Sequence, residues 1–476
     1  MKTSRQVVQW VMLAGLLLAC GGVARAQATV QNPATSLAAG EALTLEQAVR
    51  MALEKNPALK AQAEESNVAR AQTAQARAAW FPWVNFSQSF LRGNDPVYVF
   101  GTRLRQRQFT AANFALPGLN APAPLNNSLT RVDGQMMLFD ALRTHYRVAG
   151  ARRMETAADF STEQARQDLI LRVVRAYYGV IVARENFSAA REALRTAEAN
   201  EQRVTDLEKA GLVVASDKLS AQVFVAQMKE REIRAANQVA LARMALGHEL
   251  GLGPSAMKEP QDALTEPGGS EATGTATMDE WEKVALAERP ALRAAELQQQ
   301  ATASGTKVAK AEFAPKVGVF ANFERDAESL GGGPSGTNWT AGARVEVNVF
   351  AGGADRARLD EARARERQAA NQVEYFRSGV RLEVRQAFLE VSAAEQRAAA
   401  ARDAVEQAKE SLRIIQNRYE AGLATMTDLL RAQTAQLEAR TGYFAALHDW
   451  QVARAQLERA AGRLRADSQL VRGGVR

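Results

Sequence analysis

The sequence predicts a mixed α/β protein in which long paired helices carry two pairs of amphipathic strands, either laid on a soluble core or set in the wall of a membrane barrel, the whole pattern written twice along one chain. Three observations lead there. The stretch "KAGLVVASDKLSAQ" at 209–222 returns as "EAGLATMTDLLRAQ" at 420–433, pairing Gly211 with Gly422 and Asp217 with Asp428. The segment "NWTAGARVEVNVF" at 338–350 alternates, with Trp339, Ala341, Ala343, Val345, Val347 and Val349 on one side and Thr340, Arg344, Glu346 and Asn348 on the other. Period two with one apolar face marks a sheet that is greasy on one side and wet on the other. Finally, Val380, Val384, Ala387, Val391, Ala394, Ala398, Ala401, Val405, Ala408, Leu412, Ile415 and Tyr419 step by four and three, which is a heptad seam. A repeat on this scale means one architecture built twice, not the separate domains that 476 residues would otherwise suggest.

The chain opens with a basic start, an apolar run and the small-residue site Ala24-Arg25-Ala26, the make-up of a signal peptide over 1–26 cut before Gln27. Leu17-Leu18-Ala19-Cys20 offers a competing reading as a lipoprotein box, in which Cys20 becomes the acylated first residue. Cys20 is the only cysteine, so cleavage after Ala26 leaves no thiol for disulfides or thiolate chemistry. No other run approaches about 18 consecutive apolar residues, so no transmembrane helix is expected. Such an exported chain is periplasmic, extracellular or part of an outer-membrane β-barrel. Net charge is +7, but Lys and Arg alternate with Asp and Glu along the helical stretches. That pattern marks solvated helix faces, and no nucleic-acid partner is expected.

A linker over 27–42 leads into the first repeat, 43–250. Thr44 and Glu46 suit the first turn of a helix through "LTLEQAVRMALEKNPALKAQ", and Pro57 predicts a kink or restart within it. Strands follow at about 83–91 and 129–139. The second of these sets Val132, Met136 and Leu138 against Arg131, Asp133 and Gln135. A long helix over 141–209 turns at a tip, 210–215, and returns over 216–250. After a Gly/Pro/Ser/Thr-rich linker, 251–277, the second repeat over 278–463 restates the plan. Its strands lie at about 317–325 and 338–350, its long helix at 352–419 and its tip at 421–426. A tail over 464–476 is expected to be poorly ordered. Each long helix would span roughly 100 Å, matched by two shorter helices end to end. The glycine breaks then fall at the far tip of a rod, with the strands at the other end.

Two features at the tips invite a role. Asp217 and Asp428 follow the breaks, where Ser216 or Thr427 could cap the returning helix and an acid in the first turn suits the helix dipole. Leu212 and Leu423 either staple their own turns or stand out as docking knobs. At the opposite end, the connection over 92–128 is longer than its counterpart. It carries Arg103, Arg105 and Arg107 on one face if it is extended, either to meet anionic lipopolysaccharide or simply as a solvated or internally paired loop.

Catalytic chemistry is not written in the chain. There is no Gly-x-Ser-x-Gly elbow, Gly-Lys-Ser/Thr phosphate loop or His-Glu-x-x-His helix. "GGGPSG" at 331–336 lacks the phosphate-binding lysine and reads as a strand connection. His145, His248 and His448 are scattered without ligand spacing. No enzyme activity, cofactor or metal is expected.

With "LTLEQAVRMALEKNPAL", "LFDALR", "VFAGGADR", "VVRAYYGVIVAREN" and above all "RYEAGLATMTDLLRAQ", the chain resembles the outer-membrane efflux protein family typified by TolC over roughly 43–463. Ala141-Leu142 stands where the family usually has a Gly-Gly pair, and Arg289 where it has an asparagine before proline. The resemblance implies a homotrimer in the outer membrane of a Gram-negative bacterium. Each chain would give four strands to a shared β-barrel, continued by a periplasmic α-helical coiled-coil barrel. Arg131, Asp133, Arg344 and Glu346 would line the lumen, and the Trp339 face would meet lipid. Gly211, Leu212, Gly422 and Leu423 would form the tips that dock on a periplasmic adaptor, the membrane fusion protein of an inner-membrane pump of RND, ABC or MFS type. Asp217 and Asp428 would stand near the periplasmic entrance. The implied function is a passive exit duct for efflux or type I secretion, with cargo chosen by the pump. The competing class is a poreless periplasmic coiled-coil structural or adaptor protein, which would have no use for two amphipathic strand pairs.

Overall fold

A computed structural model describes residues 43–253, 259–267 and 276–472. The expected signal peptide, Cys20 and the 27–42 linker lie outside the described residues. Chain order is α1 (Leu45–Lys55), α2 (Pro57–Ala78), β1 (Trp83–Gly93), α3 (Pro96–Arg105), a 3₁₀ turn (Ala111–Phe114), α4 (Leu116–Asn120), β2 (Leu125–Phe139), α5 (Arg143–Lys209), α6 (Ala215–Leu250), α7 (Met278–Glu288), α8 (Pro290–Ala311), β3 (Lys316–Ser329), β4 (Gly332–Glu346), α9 (Ala354–Glu420) and α10 (Met426–Ala460). The molecule is mostly helical, with one small sheet.

Local chemistry explains where the helices begin and stop. Thr44 and Gln47 close a capping box on α1, and Thr277 and Glu280 do so on α7. A residue before proline avoids helical backbone angles, so α1 ends at Lys55 and α2 restarts at Pro57. Asn56 fills the joint, accepting from the amides of Ala58 and Leu59 and donating to the Glu249 carbonyl at 2.8 Å. Arg289 holds the matching place in the second half and cannot cap. It is buried instead and reaches Glu383 at 2.6 Å. Arg459 joins the same Glu383 and also bonds Asp168 at 2.7 Å, tying α10 to α5 and α9. The departure at 289 thus exchanges a helix cap for a part-buried ionic knot. The departure at 141–142 has a cost as well. Ala141 and Leu142 adopt φ of 53° and 64°, matching Gly352 at 62° and Gly353 at 84°, where a side chain adds steric strain.

Helices α5 and α9 each run 67 residues, about 100 Å. The heptad positions from Val380 to Ala398 are buried, facing Trp450, Ala453 and Leu457 of α10. From Ala401 to Tyr419 they are half-buried, while the residues between them stay exposed. The seam therefore closes the hairpin within one chain. Ala398 is 1% exposed. Ala398→Glu is expected to destabilise the protomer itself by about 3–5 kcal/mol, the scale of an uncompensated buried charge. Thermal unfolding of the purified protein measures it, and an unchanged midpoint would refute the packing.

The thickest core surrounds Tyr177 of α5, with Val49, Val173, Ile181, Leu246 and Leu250. One expectation fails here. The tail is not loose: Leu464, Leu470 and Val471 are buried in this core. Nor is the described part of the linker loose. Leu43 pairs with Pro260, the Tyr177 hydroxyl bonds Asp262 at 2.6 Å, and Gln451 donates to Thr265 at 2.6 Å. Composition marked both segments as irregular, which they are. It could not reveal that a few apolar and acidic residues within them are anchored.

The four strands form one antiparallel sheet in the order β1-β2-β3-β4. Every strand end that joins a long helix lies at the same end of the sheet, and the connections 94–124 and 330–331 lie at the other. Strand β4 begins earlier than the alternation suggested and ends at Glu346, so Val347 and Val349 continue the apolar pattern outside the strand. The stretch containing Arg103, Arg105 and Arg107 is not extended. Arg103 and Arg105 belong to α3, which Asp95 caps, and Arg107 follows it with φ of 57°.

Candidate functional site

The features that could act on other molecules sit at two ends of the rod, the sheet and the hairpin tips. In the sheet, register sorts the side chains. Arg131 lies opposite Glu324, Asp133 opposite Asn322, Gly318 opposite Arg344, and Lys316 opposite Glu346. In β1, Asn85 pairs with Asp133 and Ser87 with Arg131. All of these share one face, because alternate residues of paired strands point the same way. The other face carries Val84, Phe86, Val132, Val319, Ala321, Trp339, Ala341 and Val345. Phe86, Trp339 and Val345 are exposed, at 66%, 76% and 68%. A contiguous apolar surface of this kind on an isolated chain marks contact with lipid or another protein.

The four expected lumen residues are thus on one face, with unequal surroundings. Arg131 pairs with Glu324 and stands 4.0 Å from Asp133. The Arg344 guanidinium lies over the Phe320 ring at 5.7 Å. Glu324, Asn322 and Asp326 extend the polar face, and the sequence reading missed them because β3 alternates loosely. Their partners in β2 were the available signal, once a register was drawn.

At the far end, the chain leaves α5 and α9 by the same device. Gly211 and Gly422 adopt φ of 73° and 74°. The Gly211 amide donates to the Glu208 carbonyl at 2.9 Å and the Leu212 amide to Leu207 at 2.9 Å. Gly422 donates to Tyr419 at 3.0 Å and Leu423 to Arg418 at 2.7 Å. This is a Schellman closure, which needs a left-handed residue and so favours glycine. Leu212 and Leu423 are 71% and 69% exposed, so neither staples its turn shut. The two tips lie together. Val204, Ala221, Met426 and Leu429 form a shared core, and Arg203 bonds Glu420 at 2.7 Å.

The two aspartates differ more than their alignment implies. The cap of α10 is Thr425, not Thr427, and Asp428 closes a capping box with it, accepting from its amide at 3.0 Å and its hydroxyl at 2.6 Å. The Thr425 hydroxyl and amide hold the Asp428 carboxyl below the usual carboxylate range. The cap of α6 is Val214, not Ser216, and it has no side-chain bond to offer. Asp217 therefore lacks the local partner that occupies Asp428. Its charge is felt by Tyr419, whose hydroxyl is raised above its ordinary range, chiefly by burial and further by this carboxylate.

Among the described residues no helix is long and apolar enough to cross a membrane, and no cluster of three or more His, Cys, Asp or Glu side chains could hold a metal.

Comparison with known proteins gives this architecture a family. The chain is 26% identical over 404 residues to protein CyaE of Bordetella pertussis, covering 84% of this chain and 79% of that one. It is 24% identical over 444 residues to the alkaline protease secretion protein AprF of Pseudomonas aeruginosa, covering 90% and 87%. Its fold matches the crystal structure of the CmeC outer membrane channel of Campylobacter jejuni with a TM-score of 0.75 at 16% identity, over 90% of this chain and 88% of that one. The family model described as outer membrane efflux protein matches residues 48–252 and 281–463, the two halves set out above. With both hairpins and all four strands inside those limits, the chain belongs to the outer membrane efflux protein family.

Proposed function

We propose that the chain acts in the outer membrane as the exit duct of a tripartite efflux or type I secretion system, and that three copies build the duct. The observation that carries this is the sheet. It has one polar face, one apolar face and two unpaired edges, β1 and β4. Open edges are not tolerated in hydrocarbon, and four strands cannot close on themselves. Edge-to-edge pairing of three copies gives twelve strands with the apolar face toward lipid and Arg131, Asp133, Arg344 and Glu346 toward water. The helices then continue the duct through the periplasm, and the exposed tips meet an adaptor serving an inner-membrane pump. Substrates pass without chemistry, driven from the pump. A strain lacking the gene should lose export of a class of drugs, metal ions or polypeptides and recover it on complementation. Unchanged export, together with release of the protein from membranes by carbonate, would remove the reading.

At the entrance, the free carboxylate is the one placed to act on passing ions. Asp217→Ala is expected to raise single-channel conductance in planar bilayers more than Asp428→Ala, which instead loosens the start of α10 through loss of its capping box. Equal changes in conductance would assign both acids the same role and contradict the distinction.

A further inference from the structure

The connection between β1 and β2 does not loop away into solvent. It folds back on the sheet. Asp95 accepts from the Tyr98 amide at 2.8 Å and Pro96 opens α3. Val99, Thr102 and Gln106 then face downward, and Gln106 is fully buried. What they cover is the polar face. Gln106 Nε2 donates to the Asn126 carbonyl at 2.8 Å and to Asn127 Oδ1 at 3.0 Å. Asn127 Nδ2 donates in turn to Asp326 Oδ1 at 2.7 Å. Arg105 stands 4.0 Å from Glu324. Gly336, opposite Asp326 in register, gives the closest approach: a Cβ built there would overlap the Arg105 carbonyl oxygen. At the other edge the Tyr98 ring rests on Gly93. Helix α3 is thus latched across the polar face, at the end remote from the long helices.

The side of α3 turned away from the sheet is apolar. Val97 is 80% exposed and Leu104 50%. Behind them the segment has its own support, with Phe100, Phe109 and Phe114 meeting edge to face at 4.7 and 5.1 Å. Nothing in a single copy covers Val97 and Leu104. The dimensions of the wall say what does. Twelve strands about 4.8 Å apart, tilted by about 40°, close into a ring roughly 24 Å across between backbones. A helix with its side chains is about 10 Å thick. Three such helices laid against the inside of that ring meet in its middle.

We infer that α3 is a constriction inside the outer mouth of the duct, where Val97 and Leu104 of three copies pack on one another about the axis. This rests on the twelve-stranded wall proposed above. The constriction sets the size of what leaves, and its apolar lining bars ions by excluding water. Cargo passes only when α3 lifts from its latch. The chain's two mouths then differ in kind, with an acidic periplasmic entrance and an apolar outer one.

The test uses cysteine labelling in intact cells. Asn322→Cys places a thiol on the polar face, deeper in the duct than Glu324 and Asp326. A small charged maleimide and a bulky polyethylene-glycol maleimide are added outside. In the parent background the bulky reagent should fail to label this site. Replacing residues 96–121 with a short Gly-Ser connection should restore that labelling. Gly336→Val, which forces α3 off the wall while keeping every residue of the insert, should do the same. Bulky labelling as fast in the parent as in both variants would overturn the constriction. Ala341→Cys, on the apolar face, separates the two ideas. Its protection until detergent is added keeps the wall. If it labels in intact cells like Asn322→Cys, the wall itself is wrong and the constriction falls with it.

Discussion

Ala341→Arg is expected to abolish assembly in the outer membrane, while Thr340→Arg, one residue away, leaves it intact. Both positions lie within β4, Ala341 opposite Ala321 and Thr340 opposite Asn322. Both are exposed in a single chain, so neither change disturbs a protomer core. They differ only in the face they occupy. On the apolar face, a guanidinium near the bilayer midplane costs about 2–4 kcal/mol in each copy. On the polar face it meets water and the acidic groups at Asp133, Glu324 and Glu346. The readout is recovery of cross-linked trimer in carbonate-washed outer membranes. Equal recovery of the two variants would mean that the sheet is not a wall between lipid and water.

What the sequence made legible depended on how local the cause was. The α9 seam could be read because a heptad needs only a steady step of apolar residues, and the same residues turn up buried or half-buried. The turns at Gly211 and Gly422 could be read because a Schellman closure is set by one residue's backbone freedom. The two sheet faces could be read from β4 and β2, where alternation is strict, but Glu324 and Asp326 emerged only with the register. The fold of the insert was hidden for a physical reason. Arg103, Arg105 and Arg107 were spaced like a strand, yet Asp95-Pro96 is a helix start, and Val99, Thr102 and Gln106 recur at helical spacing. The tip aspartates align by sequence yet differ in their surroundings. Their difference lies at Thr425 against Val214, three residues upstream, where only the cap geometry shows which carboxylate is occupied. The anchoring of Asp262 and Leu464 depends on contacts far along the chain and left no local trace.

The joint variant Leu212→Asp with Leu423→Asp is expected to abolish export while leaving the duct assembled and in place. Each leucine follows a closure whose hydrogen bonds run through backbone atoms, so the turns survive the change. Each is about seven-tenths exposed, so no core is lost. The shared tip core of Val204, Ala221, Met426 and Leu429 is also untouched. What changes is the surface. Two exposed apolar side chains per copy, six around the proposed trimer, become carboxylates at the end assigned above to the periplasm. A partner that buries those leucines then has to desolvate charges, at a cost of several kcal/mol per buried ion. The expected result is normal trimer and normal outer-membrane recovery, with cross-links to the adaptor lost and export lost with them. Wild-type cross-linking and export would reduce the leucines to passengers of a turn whose only function is to reverse the chain. Loss of the trimer itself would place them between copies of this chain rather than against the adaptor. The three results seat the adaptor on the tip, nothing, or a second copy of this chain, and only the first makes it the point where the pump's cargo enters.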